Sequence, residues 1–315
     1  IHTCKLLLDW CVEERRDILK RSLEAISIRR FLAAGSFTEA LGLISSLSKE
    51  LKKLDDKAGL MEVQLLESQT WFYLKNIPKA KASLTSARAS ANSIYCPPML
   101  QASLDMQSGI LHAEEKDFRT AYSYFFEAFD AYFNMSHFGA INALKYMILS
   151  KIMLSNLDEI QPILAGKSAM KYSGPAIDAL KQVAAAYKNR SLSEFDRALR
   201  VNQQDLLEDQ IVKSHLTDLY ETLLEQNILR VIEPYTVVEV SHIASVIGLE
   251  QAVVEKKISQ MILDKLLFGV IDQGSGNLEL YEAESRLVTF ENILTTIQQA
   301  DLVLDALFEK SKRIV

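Results

Sequence analysis

The sequence predicts a mostly α-helical protein in which stacked helix pairs precede a small module with a β-hairpin and one last helix. Three observations lead to this prediction. A short turn pattern recurs about every forty residues through residues 1–210. After that point the pattern changes, and residues 267–281 alternate with a period of two. Only 11 Gly and 6 Pro occur among 315 residues, which favours long helices over a many-turned β fold.

Each copy of the repeat has a polar turn, an apolar residue and then, in most copies, an alanine three positions later. The apolar residues follow one another at steps of 40, 41, 39 and 38 positions. They are Phe37, Ile77, Phe118, Leu157 and Phe195, of which Leu157 marks the weakest copy. Steps this regular indicate stacked pairs of antiparallel helices, because each pair needs its neighbours to bury its apolar face.

The residue types at the turn predict how the helices of a pair pack. A phenylalanine would fill the turn, and a small side chain one turn later would let the two helices approach closely. The small residues are Ala40, Ala80, Ala121 and Ala198. The period is nearer to 40 than to 34 and the Trp/Leu/Gly/Tyr signature is absent, so residues 1–210 are predicted to form a tetratricopeptide-like α-solenoid.

The pattern changes after residue 210. Residues 211–233 predict one more helix, which Pro234 ends. The β-branched run Thr236–Val240 predicts a short strand, and Ser241 is a suitable N-cap for a short helix that ends at Gly248.

A third helix is predicted from Glu250 to Leu266, followed by a β-hairpin with strands at 267–273 and 278–281. The loop 274–277 is rich in glycine and has four residues, a common hairpin length. Helix, short strand, helix, helix and hairpin is the order of elements in a winged-helix module.

The charge of this region disfavours nucleic acid as its partner. Winged helices often bind DNA by placing the third helix in the major groove. Residues 213–284 hold 5 basic and 12 acidic residues, a net charge of −7, whereas residues 1–212 carry +1 and residues 285–315 carry 0. Because DNA affinity depends on neutralising phosphates, a module this acidic is predicted to face protein.

Residues 285–313 predict a final amphipathic helix with two apolar stripes. The first has the 3, 4, 3, 4, 3 spacing of a heptad seam, and the second lies at multiples of seven. The first contains Phe290, Ile293, Ile297, Ala300, Leu304 and Leu307, and the second contains Leu287, Leu294 and Phe308. Periodicity leaves two interpretations open: insertion into a multi-helix bundle formed with other proteins, or packing against the protein's own winged helix.

The sequence contains no recognisable catalytic or metal-binding motif. Its five histidines form no HExxH, and P-loop, GxGxxG and GxSxG motifs are absent. The segment Gly274–Gly276 lacks the lysine and the following helix of a phosphate loop, so a hairpin turn explains it better. We therefore expect no enzyme activity, no cofactor and no metal site.

Aromatic residues are concentrated at 71–73 and 122–133, and at helical spacing they predict core between repeats, with a peptide-binding groove as the alternative. Cys4, Cys11 and Cys96 form no CxxC motif, which is typical of reduced thiols in a cytosolic or nuclear protein. No apolar run approaches the roughly 20 residues of a membrane span. The first residue is Ile1 and the amphipathic pattern has already begun there, so we expect a piece of a longer protein.

A helical-repeat array that leads into an acidic winged helix resembles the PCI family, whose members include subunits of the proteasome lid, the signalosome and a translation initiation factor. The most specific stretches are Leu216–Arg230, Ile232–Tyr235 and Gly269–Asp272, which are similar to proteasome lid members. The similarity extends over the whole chain. It implies residues 1–210 as solenoid, 211–284 as the winged-helix part of the PCI domain and 285–315 as a C-terminal bundle helix.

The resemblance implies a non-catalytic scaffold subunit of the proteasome regulatory particle lid, in the cytoplasm and nucleus, that acts in ubiquitin-dependent degradation. Its solenoid would reach the ATPase ring and the α-ring of the core particle, and its winged helix would pair edge to edge with other PCI lid subunits. Ubiquitin cleavage would belong to a different, metal-bearing subunit. The alternatives are a PCI subunit of the signalosome and a nucleic-acid-binding adaptor.

Two sets of candidate interaction residues follow. The first is the second hairpin strand, taken as an exposed sheet edge to which another chain could add; its residues are Leu278, Leu280 and Tyr281. The second is the apolar face of the last helix: Phe290, Ile293, Leu294, Ile297, Leu304, Leu307 and Phe308.

Overall fold

Long α-helices joined by tight turns make up most of the first of two structural units, Ile1–Tyr220 and Glu221–Val315, in a computed structural model of the chain. The described residues are 7–8, 10–11, 13–172, 174–202, 209–281 and 286–312, with the side chains of 286–288 excepted. Cys4 and the side chain of Leu287 lie outside this described part. The mostly helical fold class predicted from the sequence is confirmed.

The first unit contains successive helix pairs, and a short 3-10 turn at Leu157–Glu159 opens the second half of the fourth pair. The helices are α1 (Asp17–Ala33), α2 (Phe37–Leu54), α3 (Lys57–Tyr73), α4 (Ile77–Asn92), α5 (Pro98–Glu114), α6 (Phe118–Asn134), α7 (Gly139–Met153), α8 (Ile160–Ala165), α9 (Lys167–Lys171), α10 (Pro175–Lys188) and α11 (Leu192–Val201).

A tight turn of one design joins the two helices of each pair. Two positions before the second helix begins, one residue takes a left-handed conformation with φ between +51° and +76°. Only the first of these is glycine, and a left-handed backbone costs any other residue about 1 kcal/mol. The five residues are Gly35, Lys75, Lys116, Ser155 and Arg190.

The polar residue before the second helix satisfies its first free N–H groups in three of the turns. Asn76, Asp117 and Ser191 each accept a hydrogen bond from a backbone N–H three residues further on, at 3.3 Å. An N-cap of this kind stabilises a helix by about 1 kcal/mol. The recurring polar turn in the sequence is therefore a recurring N-cap.

Four of the five predicted repeat markers begin the second element of a pair, and the fifth prediction is wrong by one turn. The last pair's second helix begins at Leu192 because Ser191 caps it, so Phe195 is its fourth residue. Phe195 is fully buried and occupies the place that an alanine has in the first three pairs. In the fourth pair the same place is taken by Ile160, which is also buried.

Neighbouring pairs share their apolar cores through the first helix of each pair. On α3, Val63 packs in a cluster with residues of α1 and α2, whereas Met61 packs in a cluster with residues of α4 and α5. One helix thus buries two faces, and each pair depends on the next for its stability.

The second unit begins within helix α12 (Gln210–Ile232). It continues with strand β1 (Val237–Glu239), helices α13 (Val240–Ile247) and α14 (Gln251–Leu263), strands β2 (Gly269–Asp272) and β3 (Asn277–Leu280), and helix α15 (Arg286–Lys312). The three strands form one antiparallel sheet in the order β1-β3-β2. These elements confirm the predicted winged-helix order.

The predicted N-cap of α13 is wrong. The helix begins at Val240, immediately after β1, and Glu239 rather than Ser241 occupies the cap position. The Ser241 hydroxyl donates to a carboxylate oxygen of Glu239 at 3.1 Å instead of capping the helix. The predicted end is confirmed, since Gly248 takes a left-handed conformation at φ +79°.

A buried lysine joins α14 to the second half of α12. The Lys257 side chain, with the residue only 7% exposed, contacts a carboxylate oxygen of Glu225 at 2.9 Å and one of Glu221 at 3.2 Å. Burial opposes the charge on this amine, but the two carboxylates outweigh it and raise the pKa of Lys257. One of the five basic residues of 213–284 is therefore used internally.

Candidate protein-interaction surfaces

Helix α15 presents a long apolar face that the rest of the described chain leaves uncovered. All the residues from 289 to 312 are exposed. The large apolar residues among them each keep between 49% and 69% of their surface accessible. They are Phe290, Ile293, Leu294, Ile297, Leu302, Val303, Leu304, Leu307 and Phe308.

This exposure bears on the two interpretations of the last helix. The alternative, that its apolar stripes pack against the protein's own winged helix, is contradicted for residues 289–312. Soluble monomers rarely expose apolar patches of more than a few hundred Å², so a contiguous apolar face over these turns is typical of a surface that binds protein. The seven predicted contact residues of α15 all lie on or beside this face.

The predicted hairpin edge is wrong, because strand β3 is the central strand of the sheet. It pairs with β2 on one side and with β1 on the other. Leu278 is fully buried and Leu280 is half-buried, so only Tyr281 of the three predicted residues is well exposed. The free edges of the sheet belong to β1 and β2.

The hydrogen-bond pattern identifies the backbone groups that these edges offer. Tyr281 N–H donates to Phe268 O at 3.0 Å and Gly276 N–H donates to Asp272 O at 2.8 Å, so alternate residues of β2 face β3. By the alternation of an antiparallel pair, the backbone groups of Gly269 and Ile271 point away from the sheet. The same reasoning directs the groups of Val237 and Glu239 outward from β1, because Leu280 N–H donates to Thr236 O.

One face of the sheet is open to solvent, and it combines exposed apolar residues with the acidic Glu239, Asp272 and Glu279. Val237, Glu279 and Val270 stand side by side across the three strands, and the two valines are 52% and 53% exposed. Phe268 and Tyr281, the next pair along β2 and β3, are also exposed. Edge strands of monomeric proteins are normally protected by charges or proline. The outward backbone groups of β2 belong to uncharged residues and lie beside exposed Phe268 and Val270, which indicates a partner at this edge.

The aromatic residues at 71–73 and 122–133 are core only in part, since four of the ten are buried, four are half-buried, and Tyr73 and Phe126 are exposed. Phe125, Phe129 and Tyr132 are buried on α6, and Phe72 is buried on α3. Exposed Tyr73 stacks on Phe37 at 5.7 Å between ring centroids.

His112 and His215 contact aromatic side chains of the solenoid. His112, at the end of α5, stacks on Tyr124 at 5.5 Å and faces a carboxylate oxygen of Asp117 at 3.8 Å. His215 of α12 is 4% exposed, packs edge-on against Phe118 and has no hydrogen-bond partner for either ring nitrogen in the described chain. Burial lowers the pKa of His215.

The described residues contain no cluster of three or more His, Cys, Asp or Glu that could hold a metal ion. The glycine-rich loop after β2 is a hairpin turn, as predicted. The Asp272 carboxylate accepts hydrogen bonds from the Ser275 hydroxyl at 2.7 Å and from Gly274 N–H at 2.9 Å, and these bonds lower the pKa of Asp272.

Among the described helices, none is long and apolar enough to span a membrane.

Comparisons with known proteins agree with this architecture. The family model of the PCI domain matches residues 179–282. A probable 26S proteasome regulatory subunit rpn6 of Schizosaccharomyces pombe is 48% identical over 96% of this chain and 72% of its own length. The 26S proteasome non-ATPase regulatory subunit 11 homolog of Arabidopsis thaliana is 47% identical over 100% of this chain and 75% of its own length. The 26S proteasome regulatory subunit RPN6 of Saccharomyces cerevisiae is 46% identical over 99% of this chain and 73% of its own length.

Proposed function

The chain belongs to the family of 26S proteasome regulatory subunits that includes Rpn6 and non-ATPase regulatory subunit 11, and on this premise we propose that it is a scaffold subunit of the proteasome lid. It supports ubiquitin-dependent degradation by holding other subunits in place and carries out no catalysis itself. The uncovered apolar face of α15 is the observation that supports this role most strongly, because it requires partners.

Helix α15 is proposed to insert into a bundle of helices contributed by other lid subunits. The apolar side chains of its described part form a heptad seam with Leu294 and Phe308 beside it, and both are open to solvent. A seam alone fits one partner helix, whereas a wider apolar surface fits two or more. Residues 285–315 thus form the proposed bundle segment.

The winged helix is proposed to pair with a neighbouring PCI subunit through strand β2. Its outward backbone groups belong to the uncharged residues Gly269 and Ile271, and exposed Phe268 and Val270 lie beside them. Strand β1 is a poorer template, since it is shorter and one of its two outward residues is Glu239. We place residues 211–284 in this module.

The solenoid, residues 1–210, is proposed to contact the ATPase ring and the α-ring of the core particle. Three exposed apolar residues lie in or beside the loops that join successive pairs, namely Leu54, Tyr95 and Phe138. Tyr95 and Phe138 are 85% and 84% exposed, which is unusual for aromatic residues without a partner. Complexes of this kind act in the cytoplasm and nucleus, where we expect this protein.

Co-purification of a tagged copy of this chain from its own cells tests the proposal. We expect stoichiometric recovery of proteasome lid subunits, together with the ATPase ring and core particle at low salt. Recovery of signalosome subunits instead would assign the chain to that complex. Salt-dependent retention of DNA or RNA without lid subunits would favour the nucleic-acid adaptor and contradict the scaffold role.

A further inference from the structure

A groove crosses the first helices of three successive pairs in the solenoid. Its cavity has a volume of about 280 Å³, close to the lower end of the range for ligand pockets, roughly 300 Å³. Helices α3, α5 and α7 supply most of its lining, and Ile211 of α12 borders it. Tyr73, Met106 and Ile110 form its apolar part.

Three carboxamide side chains line this groove, one from each of the three first helices: Gln69, Gln107 and Asn142. Their positions are compared with the apolar residue that begins the second half of the same pair. Gln69 lies eight residues before Ile77, Gln107 lies eleven before Phe118, and Asn142 lies fifteen before Leu157. From one pair to the next, the carboxamide therefore lies about one helical turn earlier in its helix. For the packed helices α3 and α5, about 5.4 Å per turn and about 10 Å between axes give a step of about 11 Å from Gln69 to Gln107, and the step to Asn142 is at least as long. A step of about 11 Å is the length of about three residues of an extended chain.

The carboxamides are available to a ligand. Gln107 is only 3% exposed, and its side chain makes one long hydrogen bond, from Nε2 to Ser68 Oγ at 3.5 Å. Gln69 and Asn142 make no side-chain hydrogen bond within the described chain. A carboxamide that makes few hydrogen bonds within the protein keeps both donor and acceptor capacity for a ligand.

The groove carries no net charge. No Asp, Glu, Lys or Arg is among its lining residues. The nearby Asp209 carboxylate accepts a hydrogen bond from the Tyr146 hydroxyl, and the buried Asp105 is paired with Arg88 at 2.9 Å. Burial and the charge of Asp209 raise the pKa of Tyr146, so its hydroxyl stays a neutral donor. An anionic ligand would lose its hydration here without gaining a counter-ion. The Asp209 carboxylate beside the groove already accepts hydrogen bonds from the Tyr146 hydroxyl and from Ile211 N–H, which favours an uncharged ligand over a cation.

We propose that this groove binds an extended, uncharged segment of another polypeptide. The ligand's backbone amides exchange hydrogen bonds with Gln69, Gln107 and Asn142, and one apolar side chain enters the cavity between Tyr73 and Met106. A polypeptide backbone matches the groove because a carboxamide donates and accepts, as does each peptide unit. The site shares no residue with the proposed lid contacts of α15 and β2, so its failure would leave the scaffold role standing.

Selection from a phage-displayed library of random twelve-residue peptides on the purified full chain tests this site. Counter-selection on an Asn142→Lys variant removes peptides that bind elsewhere, including the apolar face of α15. Asn142 is exposed, so the charge enters the groove without disturbing the fold. We expect enriched peptides with an uncharged centre of at least about six residues, because two steps of about three residues each separate Gln69 from Asn142.

The dissociation constant of a synthetic enriched peptide is then measured by fluorescence anisotropy. Replacing both Gln69 and Asn142 by Ala is expected to weaken binding at least about tenfold, since two hydrogen bonds are lost. Asn92→Ala is the matched control, because Asn92 is also an exposed helical asparagine without a side-chain hydrogen bond, and it should leave binding unchanged. If no peptide distinguishes wild type from Asn142→Lys, or if the double variant binds as tightly as wild type, the proposal is wrong.

Discussion

Small residues decide how closely the helices of the solenoid approach. Ala40, Ala80 and Ala121 are completely buried where the two helices of a pair meet. At Gly109 the approach is closer still, because a Cβ atom there would lie 2.5 Å from Cε1 of the buried Phe125. Phe125 is itself held against Tyr146 of the next pair at 5.3 Å between ring centroids, so it has little room to move.

Substituting Gly109 by Ala should therefore destabilise the first unit by about 1–3 kcal/mol, the usual cost of overpacking a core. Gly42→Ala is the matched control, since Gly42 is also helical but a Cβ there would meet nothing within 4 Å. It should stabilise the unit by about 0.5–1 kcal/mol. Denaturant unfolding followed by the fluorescence of Trp10 and Trp71, both in the first unit, measures both changes. Equal effects of the two variants would contradict this packing.

The buried histidine His215 should make the first unit less stable in acid. Burial keeps its folded-state pKa below the unfolded value of about 6.5, although Glu114, Asp218 and Asp209 oppose this and Lys75 favours it. The unfolded chain then binds one more proton, so the free energy of unfolding falls as pH decreases through about 6.5. His215→Leu should remove this part of the slope, which is at most about 1.4 kcal/mol per pH unit for one proton.

Unfolding curves of wild type and His215→Leu between about pH 7.5 and pH 5, with the same tryptophan signal, test this expectation. The stability of the variant relative to wild type should increase toward acid pH. A pH-independent difference between the two proteins would show that His215 does not titrate with unfolding.

At the scale of single residues, the sequence predicted that a turn precedes each second helix more accurately than it predicted the residue at which that helix begins. Alanine three positions after an apolar marker identified the second helix in the first three pairs, because small residues are needed there. In the fifth pair Phe195 occupies the position that alanine has in the first three pairs. The pattern therefore predicts the start of this helix at Phe195, one turn after its observed start at Leu192. The size of the side chain that fits between two helices depends on the distance between them. A single sequence does not give that distance.

Among the elements, the winged-helix sheet shows what local patterns contain. Period-two alternation predicted β2, the loop and β3 correctly. It could not predict that β1, nearly forty residues earlier, pairs with the outer side of β3 and makes it the central strand. The order of strands in a sheet depends on pairing between residues that are distant in sequence. For this reason the sequence predicted β3 as the edge strand, whereas the structure has β1 and β2 at the edges.

Strand β2 can be tested against β1 with one matched pair of substitutions. Val270 and Val237 have nearly equal exposure and flank the same residue, Glu279. A lysine at either place gains the same cross-strand carboxylate, so both variants should fold. An edge lysine blocks strand addition. Val270→Lys should weaken binding to neighbouring PCI subunits by at least about tenfold, whereas Val237→Lys should have little effect.

Binding of each purified variant to the neighbouring lid subunits, measured by competition with labelled wild type, gives the comparison. Circular dichroism checks that both variants remain folded. Loss of binding by Val237→Lys alone would assign the contact to β1, and unchanged binding by both would rule out pairing at the sheet edges.

For the whole molecule, repeat period, element order and charge led from the sequence to a solenoid, an acidic winged helix and a last amphipathic helix. The periodicity of α15 could not decide between an internal and an external partner, because both need the same apolar stripe. The exposure of residues 289–312 decides against the internal one. The sequence did not predict the groove lined by Gln69, Gln107 and Asn142, because these residues line one cavity only when three helix pairs stack.

The central claim is that the apolar face of α15 brings this chain into the lid, and co-expression with the other lid subunits tests it most directly. A double variant, Ile297→Asp with Leu304→Asp, places two charges on the seam, while Gln299→Asp places one on the opposite face. Incorporation is measured by native gel with quantification of bound and free chain. We expect Gln299→Asp to enter the lid like wild type and the folded double variant to stay free. Equal incorporation of the double variant and wild type would contradict this claim.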